Sequence, residues 1–315
     1  MNGNITQQVR ELISYHCRNW ELARTNYAAL DRVQSRKLMV NGYEVELQFN
    51  PERIRSSAAK IDKASLAARP CFLCEANRPG NQQWIDFGDE YQIIVNPYPI
   101  FPEHLTIPVR AHQDQCIRGR YTDMLALAEA LDEFIVFYNG PKCGASAPDH
   151  MHFQAGSKGF LPLEVNWSLA FREEVKVKGQ AVLYALRDFL QPVFMIISGK
   201  MEDAVFLFDY LYGLMDCKPG EYEPMMNLLS WKEDGKWITC IYPRKNLHPS
   251  CYYAEGDANI LISPATVEMA GLFVTPLEKD FRKVTADDLQ QILRETCLPE
   301  EEMDLLISKS KLYSL

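Results

Sequence analysis

The sequence predicts an α+β protein built on antiparallel sheet with helices laid against it. Two hairpins and a set of separate helical blocks carry that expectation. One hairpin turns at Asn41-Gly42 and the other at Glu233-Asp-Gly235, each between strand-like runs. Helical periodicity occurs over 5–35, 122–138, about 201–215 and from Thr285 onward.

The chain has 315 residues, enough for one large domain or two modest ones. Hydrophobic residues make up 47% and charged residues 24%, an ordinary globular balance. The net charge of -9 argues against a nucleic-acid surface, which requires a basic face. An anionic ligand must therefore be held by individually placed donors. The start, MNGNITQQVRELISYHC, lacks a basic stretch followed by an apolar run, and no segment has the apolar length of a membrane span. Nine cysteines, most of them alone in apolar segments (Cys116, Cys240, Cys297), fit buried thiols in a reducing compartment. A cytoplasmic protein without nucleic-acid or membrane partners is expected.

In chain order, Val9, Leu12, Ile13, His16 and Cys17 form one stripe of the first helix. Lys37–Phe49 makes the first hairpin, and a polar stretch leads to Cys71-Phe-Leu-Cys74. Tyr91–Asn96 and His104–Pro108 are strands, joined by an extended crossing that Pro97, Pro99 and Pro102 enforce. Thr122–Tyr138 is an amphipathic helix that stops at Asn139-Gly140-Pro141. A short loop then delivers the strand Asp149–Gln154. Ala181–Leu186 and Val193–Ile197 are strands before the helix Met201–Met215. Asn227–Trp231 and Trp237–Tyr242 flank the second hairpin turn, and the strand Ile260–Ser263 and a helical tail follow. Trp237–Arg244 echoes His104–Arg110, each a strand ending in Pro and a basic residue, which suggests an internal duplication.

The segment Tyr138–Gln154 concentrates the chemistry. On a strand, His150, His152 and Gln154 share one face while Met151 and Phe153 point to the core. Three polar, reactive groups on one face are costly to bury without purpose; the plain alternative is an exposed edge strand carrying two histidines. A neutral imidazole is a good nucleophile toward a nucleotide phosphate, and its phosphoramidate passes the nucleotide on. Gln154 offers an amide to a phosphate oxygen. The loop Gly144-Ala145-Ser146 offers backbone N–H groups and a hydroxyl, with Gly144 permitting close approach.

Gly144-Ala-Ser-Ala-Pro-Asp-His-Met-His-Phe-Gln154 resembles the Gly-x-Ser-x-Pro-x-His-x-His-x-Gln signature of the histidine triad superfamily. Three of its groups come into play: galactose-1-phosphate uridylyltransferases, diadenosine tetraphosphate phosphorylases and GDP-hexose phosphorylases. The run 150–155 with Leu161-Pro-Leu-Glu164 looks most like the last, and Val95–Pro108 resembles the families' substrate strand. The likeness is good over about 70–165 and faint in the C-terminal half. Asp149 stands where the other two groups have proline or a basic residue.

This resemblance implies His152 as the nucleophile, with Gln154 and Ser146 acting on the phosphate. Asn96, Asn139, Gly144 and Ala145 are the expected substrate contacts. The Cys-x-x-Cys spacing of Cys71 and Cys74 is metal or redox spacing in its own right. The resemblance implies that these cysteines, His112 and His150 hold a structural zinc. Arg53, Arg55, Ser56, Ser57 and Lys60 form a basic, hydroxyl-rich cluster in an acidic protein. Arg53 and Lys60 are candidate phosphate contacts, with a solvated charge run as the alternative; Arg244 is a weaker one. His104 is as well explained by strand packing as by the site, and His16 and His248 are read as structural.

The implied fold is two histidine-triad-like halves. Residues 1–165 form the catalytic half, 166–220 connecting strands and a helix, and 221–315 a degenerate second half serving the substrate pocket or a homodimer contact. The implied reaction is phosphorolysis or nucleotidyl transfer at a nucleotide sugar, with phosphate or a sugar phosphate as acceptor. Cleavage of a dinucleoside polyphosphate, a zinc-stabilised hydrolase and a non-catalytic nucleotide-binding regulator are the rivals.

Overall fold

The computed structural model describes residues 5–54, 65–66 and 68–312. The first helical block divides into α1 (Ile5–Asn19) and α2 (Glu21–Ala29), because Trp20 takes an extended conformation, with φ -127° and ψ 108°. Val9, Leu12, Ile13 and His16 are buried along α1, as their spacing requires.

β1 (Gln34–Val40) and β2 (Tyr43–Phe49) form the expected hairpin. Asn41 and Gly42 both have positive φ, 48° and 81°, as a two-residue hairpin turn demands. A strand not foreseen, β13 (Leu272–Thr275), joins β2 in parallel and completes a three-stranded sheet.

The other ten strands make one sheet. They are β3 (Trp84–Phe87), β4 (Tyr91–Val95), β5 (His104–Pro108), β6 (Phe134–Asn139), β7 (His152–Ser157), β8 (Phe171–Lys178), β9 (Ala181–Arg187), β10 (Val193–Ser198), β11 (Met226–Glu233) and β12 (Lys236–Pro243). Their spatial order is β3-β4-β5-β7-β6-β11-β12-β10-β9-β8, with every pairing antiparallel.

Three local readings change. The helix expected over 122–138 is α3 (Tyr121–Ala130) followed by β6. Every residue of β6 is buried, so it lacks the alternation that marks a half-exposed strand. The strand at 149–154 starts only at His152, so His150 lies in the preceding turn and does not share a strand face with His152 and Gln154. No strand forms at 260–263.

The two faces of the large sheet are covered differently. On one face α1, α3, α5 (Met201–Leu214) and α10 (Glu300–Leu312) pack on Val95, Leu105, Val136, Phe153 and Phe194. On the other, the small sheet and α9 (Ala286–Thr296) cover Ile135, Phe137, Met195 and Cys240. The candidate site opens on this second face.

The strand order contains the same pattern twice. The run β3-β4-β5-α3-β6-β7 is laid out β3-β4-β5-β7-β6, and β8-β9-β10-α5-β11-β12 is laid out β8-β9-β10-β12-β11. The runs meet where β6 pairs with β11, with Asn139 opposite Asn227. Residues 166–220, expected as connecting strands and a helix, hold β8, β9, β10 and α5, which fall within the second run. Strand order also matches β12 to β7 rather than to β5, unlike the sequence echo. Where β6 and β7 are joined by residues 140–151, β11 and β12 are joined by Asp234 and Gly235 alone.

Candidate active site

β7 points Phe153 and Ala155 into the helix-covered core and His152 and Gln154 into a cavity of about 770 Å³. Asn139, Gly144, Ser146, Arg53 and Trp20 also line that cavity. His152 is 3% exposed. Its Nδ1 lies 2.7 Å from the carbonyl of His150, so that nitrogen carries the proton and donates. Nε2 is left with a lone pair. Burial, above all, lowers the pKa to about 4, which keeps the ring neutral and nucleophilic.

Gln115, from the segment before α3, clamps the two strand ends at the site. Its side chain accepts from the His152 amide (2.8 Å) and donates to the carbonyls of His152 (3.1 Å) and Asn139 (2.8 Å).

A second set of bonds orients Gln154. The amide of Ile100 donates to His104 Nδ1 at 3.1 Å, so His104 carries its proton on Nε2 and donates it to Gln154 Oε1, also at 3.1 Å. Asn96 donates to the same oxygen at 3.4 Å and to Thr106 Oγ1 at 3.1 Å. With its oxygen so engaged, Gln154 presents its NH₂ to the cavity. Burial, with the Arg53 charge second, holds His104 neutral with a pKa of about 3. Asn96 therefore positions Gln154, and His104, for which the sequence left two readings equal, belongs to the site.

The loop 140–151 is pinned from the second run of strands. Asn139 Oδ1 accepts from Asn227 Nδ2 (2.9 Å), the Thr266 amide (2.9 Å) and Thr266 Oγ1 (2.6 Å). Asn227 also donates to the carbonyl of Cys143, at 2.8 Å. This leaves the Asn139 NH₂ on the cavity side. Gly144 has φ +96°, and a Cβ there would lie 2.4 Å from Cβ of Ala265, so only glycine fits. Ser146 lines the cavity, whereas Ala145 is buried and contributes no lining side chain.

Of the basic cluster, Arg53 reaches the cavity wall. It donates through Nη1 to the carbonyl of Tyr98 at 2.6 Å, and burial brings its pKa down to about 10. Glu268 lines the same wall and accepts from the Ala265 amide at 2.8 Å; burial raises its pKa to about 7. Arg55, Ser56, Ser57 and Lys60 lie outside the described residues. Arg244, the weaker candidate, is buried away from the lining and donates to Asn227 Oδ1 and to the carbonyls of Pro264 and Thr296. His16 is structural: its Nδ1 lies 2.8 Å from the Leu12 carbonyl and its Nε2 accepts from the Gln83 amide at 3.0 Å. His248 pairs with Ser263 at 2.8 Å and stacks on Tyr252.

Cys71, Cys74, His112 and His150 converge beside the loop, with one candidate ligand atom each and all four within 4.8 Å of one another. His150 Nδ1 lies 3.3 Å from Cys71 Sγ, 3.5 Å from Cys74 Sγ and 3.3 Å from His112 Nδ1. Zinc at about 2.3 Å from sulfur and 2.0–2.1 Å from nitrogen sets tetrahedral ligand atoms roughly 3.3–3.8 Å apart. His150 also places Nε2 2.8 Å from the Val109 carbonyl. It therefore donates there and turns Nδ1 to the cluster, the usual arrangement of a metal-binding histidine. This set of donors can hold a metal ion.

Sequence reading missed Arg69. Its Nη2 donates to the carbonyl of Ser146 at 3.2 Å and to Asp149 Oδ1 at 3.3 Å, and its guanidinium lies 4.9 Å from the Phe72 ring centroid. The one available signal was Asp149, an acid where the resemblance leads to proline or a base.

A family model described as a domain of unknown function (DUF4922) matches residues 12–157. Comparison with the curated proteins finds no match. Among solved structures, the chain is similar to yeast Ap4A phosphorylase Apa2, with 16% identity, coverage of 95% of this chain and 96% of that one, and a TM-score of 0.61. For the same yeast protein in complex with Ap4A the identity is 17%, the coverage 95% and 99%, and the TM-score 0.60. At this identity the likeness establishes the fold. The α+β architecture expected from the sequence, antiparallel sheet with helices laid against it, is the one observed, and it is the fold of the yeast phosphorylase.

Proposed function

We propose that the protein is a nucleotidyltransferase or phosphorylase that cleaves a nucleoside diphosphate sugar through a covalent nucleotidyl-His152 intermediate. The observation that carries this reading is the orientation of His152. Its Nδ1 proton is held by the carbonyl of His150, so Nε2 keeps its lone pair on a side chain that lines the same cavity as Gln154.

In the first half-reaction the Nε2 lone pair forms a bond to the α-phosphorus. The bridging P–O bond breaks, its electron pair stays on the departing oxygen, and hexose 1-phosphate leaves. As the ring becomes cationic, the carbonyl of His150 holds its Nδ1–H. Gln154, the loop amides of 144–146 and the NH₂ of Asn139 take up charge on the non-bridging oxygens. In the second half-reaction an oxygen of phosphate or of a sugar phosphate attacks the same phosphorus and returns Nε2 to its neutral state. Because both leaving group and acceptor are phosphates, one set of donors serves both steps.

Within this reading the four-residue cluster holds a structural zinc, which ties the segment 71–74 to the loop that precedes His152. The two runs of strands are two histidine-triad-like halves. The first carries the nucleophile, and the second anchors its loop through Asn227. A second reading, cleavage of a dinucleoside polyphosphate, uses the same residues with a different leaving group. The yeast Ap4A phosphorylase fold supports it.

The test is intact-mass analysis after brief incubation with a panel of nucleotide sugars and dinucleoside polyphosphates without acceptor. A donor should leave a nucleoside monophosphate on the wild type and none on His152→Ala, and phosphate should discharge it. No adduct from any donor, with turnover showing sequential kinetics, would contradict the mechanism.

A further inference from the structure

The residues already placed at the reacting phosphorus are neutral donors: the Gln154 and Asn139 amides and the peptide groups of the loop. Cleavage of a P–O–P bridge also builds charge on the departing oxygen, and that group needs a cation. Among the described residues lining the cavity, two are cationic, Arg53 and Arg69. Arg53 donates its Nη1 to the Tyr98 carbonyl and has no buried donor atom left without a partner. Arg69 stands at the loop itself.

Arg69 is built into place. Asp149 and the Ser146 carbonyl hold Nη2, and Phe72 lies against the guanidinium. Nη1 has no hydrogen-bond partner among the described residues, although its atom is buried. A buried, unsatisfied charged donor on a residue that lines a cavity is rare in a native structure, and a bound anion accounts for it. With both Nη2 protons engaged, the charged contact to a phosphate oxygen falls to Nη1. Asp149, which stands where two of the three resembled groups have proline or a basic residue, is the side chain that holds the guanidinium in place.

We infer that Arg69 binds the departing phosphate monoester, and by reversal the incoming phosphate acceptor, so that it acts on the leaving group rather than on the transferred phosphoryl. The inference rests on the His152 reading given above. When the P–O bond breaks, the electron pair settles on the monoester oxygen, and Arg69 stabilises that anion with no proton transferred. The monoester is a hexose 1-phosphate or a nucleotide; both present the same phosphate to Arg69.

The test compares Arg69→Gln with the wild type on three donors. Two have phosphate leaving groups, a nucleoside diphosphate hexose and a dinucleoside polyphosphate. The third, a nucleoside 5′-(4-nitrophenyl) phosphate, releases an aryl oxide that needs no cation. Rates of His152 adduct formation are read by mass. On the better of the first two donors, Arg69→Gln should be slower by about a hundredfold, while the nitrophenyl ester should change by less than about threefold. Arg69→Lys, which keeps the charge without the planar group that Asp149 and Ser146 hold, should lie between. The hexose and dinucleotide arms tell which monoester the site takes. An equal loss on the nitrophenyl ester would overturn the inference, for Arg69 would then merely hold the loop. A wild type that forms no adduct with any donor would overturn the His152 reading and this inference with it, before any variant is compared.

Discussion

His104 and Gln154 are diagonal neighbours across the β5–β7 pairing, where Gln154 stands opposite Thr106 and His104 opposite Gly156, and His104 Nε2 lies 3.1 Å from Gln154 Oε1, so this histidine, with Asn96, decides which end of the glutamine amide meets the substrate. His104→Phe keeps a ring in the pocket next to Phe101 and Phe137 but removes the donor. The freed amide can then turn its oxygen toward the phosphate. Turnover should fall by about ten- to a hundredfold, with nucleotide binding in the ground state little changed. Single-turnover rates alongside nucleotide titrations would check this. A proportionate loss in both would show that His104 serves packing alone.

Gly144 and Gly159 make a matched pair of substitutions. Both have positive φ, 96° and 80°, but a Cβ at 144 would strike Ala265 at 2.4 Å whereas at 159 it would meet nothing within 4 Å. Gly159→Ala should cost about 1 kcal/mol and leave activity intact. Gly144→Ala adds a clash in a buried loop and should cost about 3 kcal/mol or more and abolish activity. Thermal melts of both variants measure the difference.

A metal at Cys71, Cys74, His112 and His150 would join segments distant in the chain, so its binding energy would be folding energy. Cys74→Ser should lose bound metal and melt at a lower temperature, as should the wild type stripped with a strong chelator. Elemental analysis of the purified protein reads the first result and a melting curve the second. A wild type free of any metal would exclude the centre.

Glu223 offers a test through pH. It is buried, accepts from the Tyr138 hydroxyl (2.6 Å) and from the Ile117 amide (2.9 Å), and burial raises its pKa to about 7. A carboxyl raised above its unfolded value of about 4.3 favours the folded state when protonated. That contribution is present below about pH 4.3, is lost as pH rises through about 7, and stays constant beyond. Glu223→Gln removes the loss. The melting temperature of the variant relative to the wild type should therefore rise between pH 5 and pH 8, and a flat difference would contradict the assignment.

Much of the site could be read from the sequence because its groups are local. Gly144, Ser146, His152 and Gln154 fall within eleven residues, and the Cys-x-x-Cys pair announces itself by spacing. What escaped depends on contacts between distant segments or on burial. His104 looked like any strand histidine until the β5–β7 register set it beside Gln154. β6 was absorbed into a helix because both of its faces are covered, which erases the period of two. Arg69 lies just before the Cys-x-x-Cys pair but is no part of its spacing, and its contacts with Asp149 and the Ser146 carbonyl, about eighty residues on, show its place. Ala145 was drawn in by its neighbours, although its side chain turns away from the cavity.

The β6–β11 seam has a consequence for how the catalytic apparatus comes into being. Residues 12–157 contain the proposed nucleophile, its glutamine, the loop and the cysteine pair, and that span coincides with a recognisable sequence unit. Yet the loop is secured by Asn227, 88 residues beyond Asn139, and by Thr266, 127 residues beyond it. Such distant closures form late, after the local strands and helices around them. The chemistry is thus encoded early in the chain and assembled late in folding. A nascent or truncated chain ending near 157 would carry every proposed reacting group and still be inert.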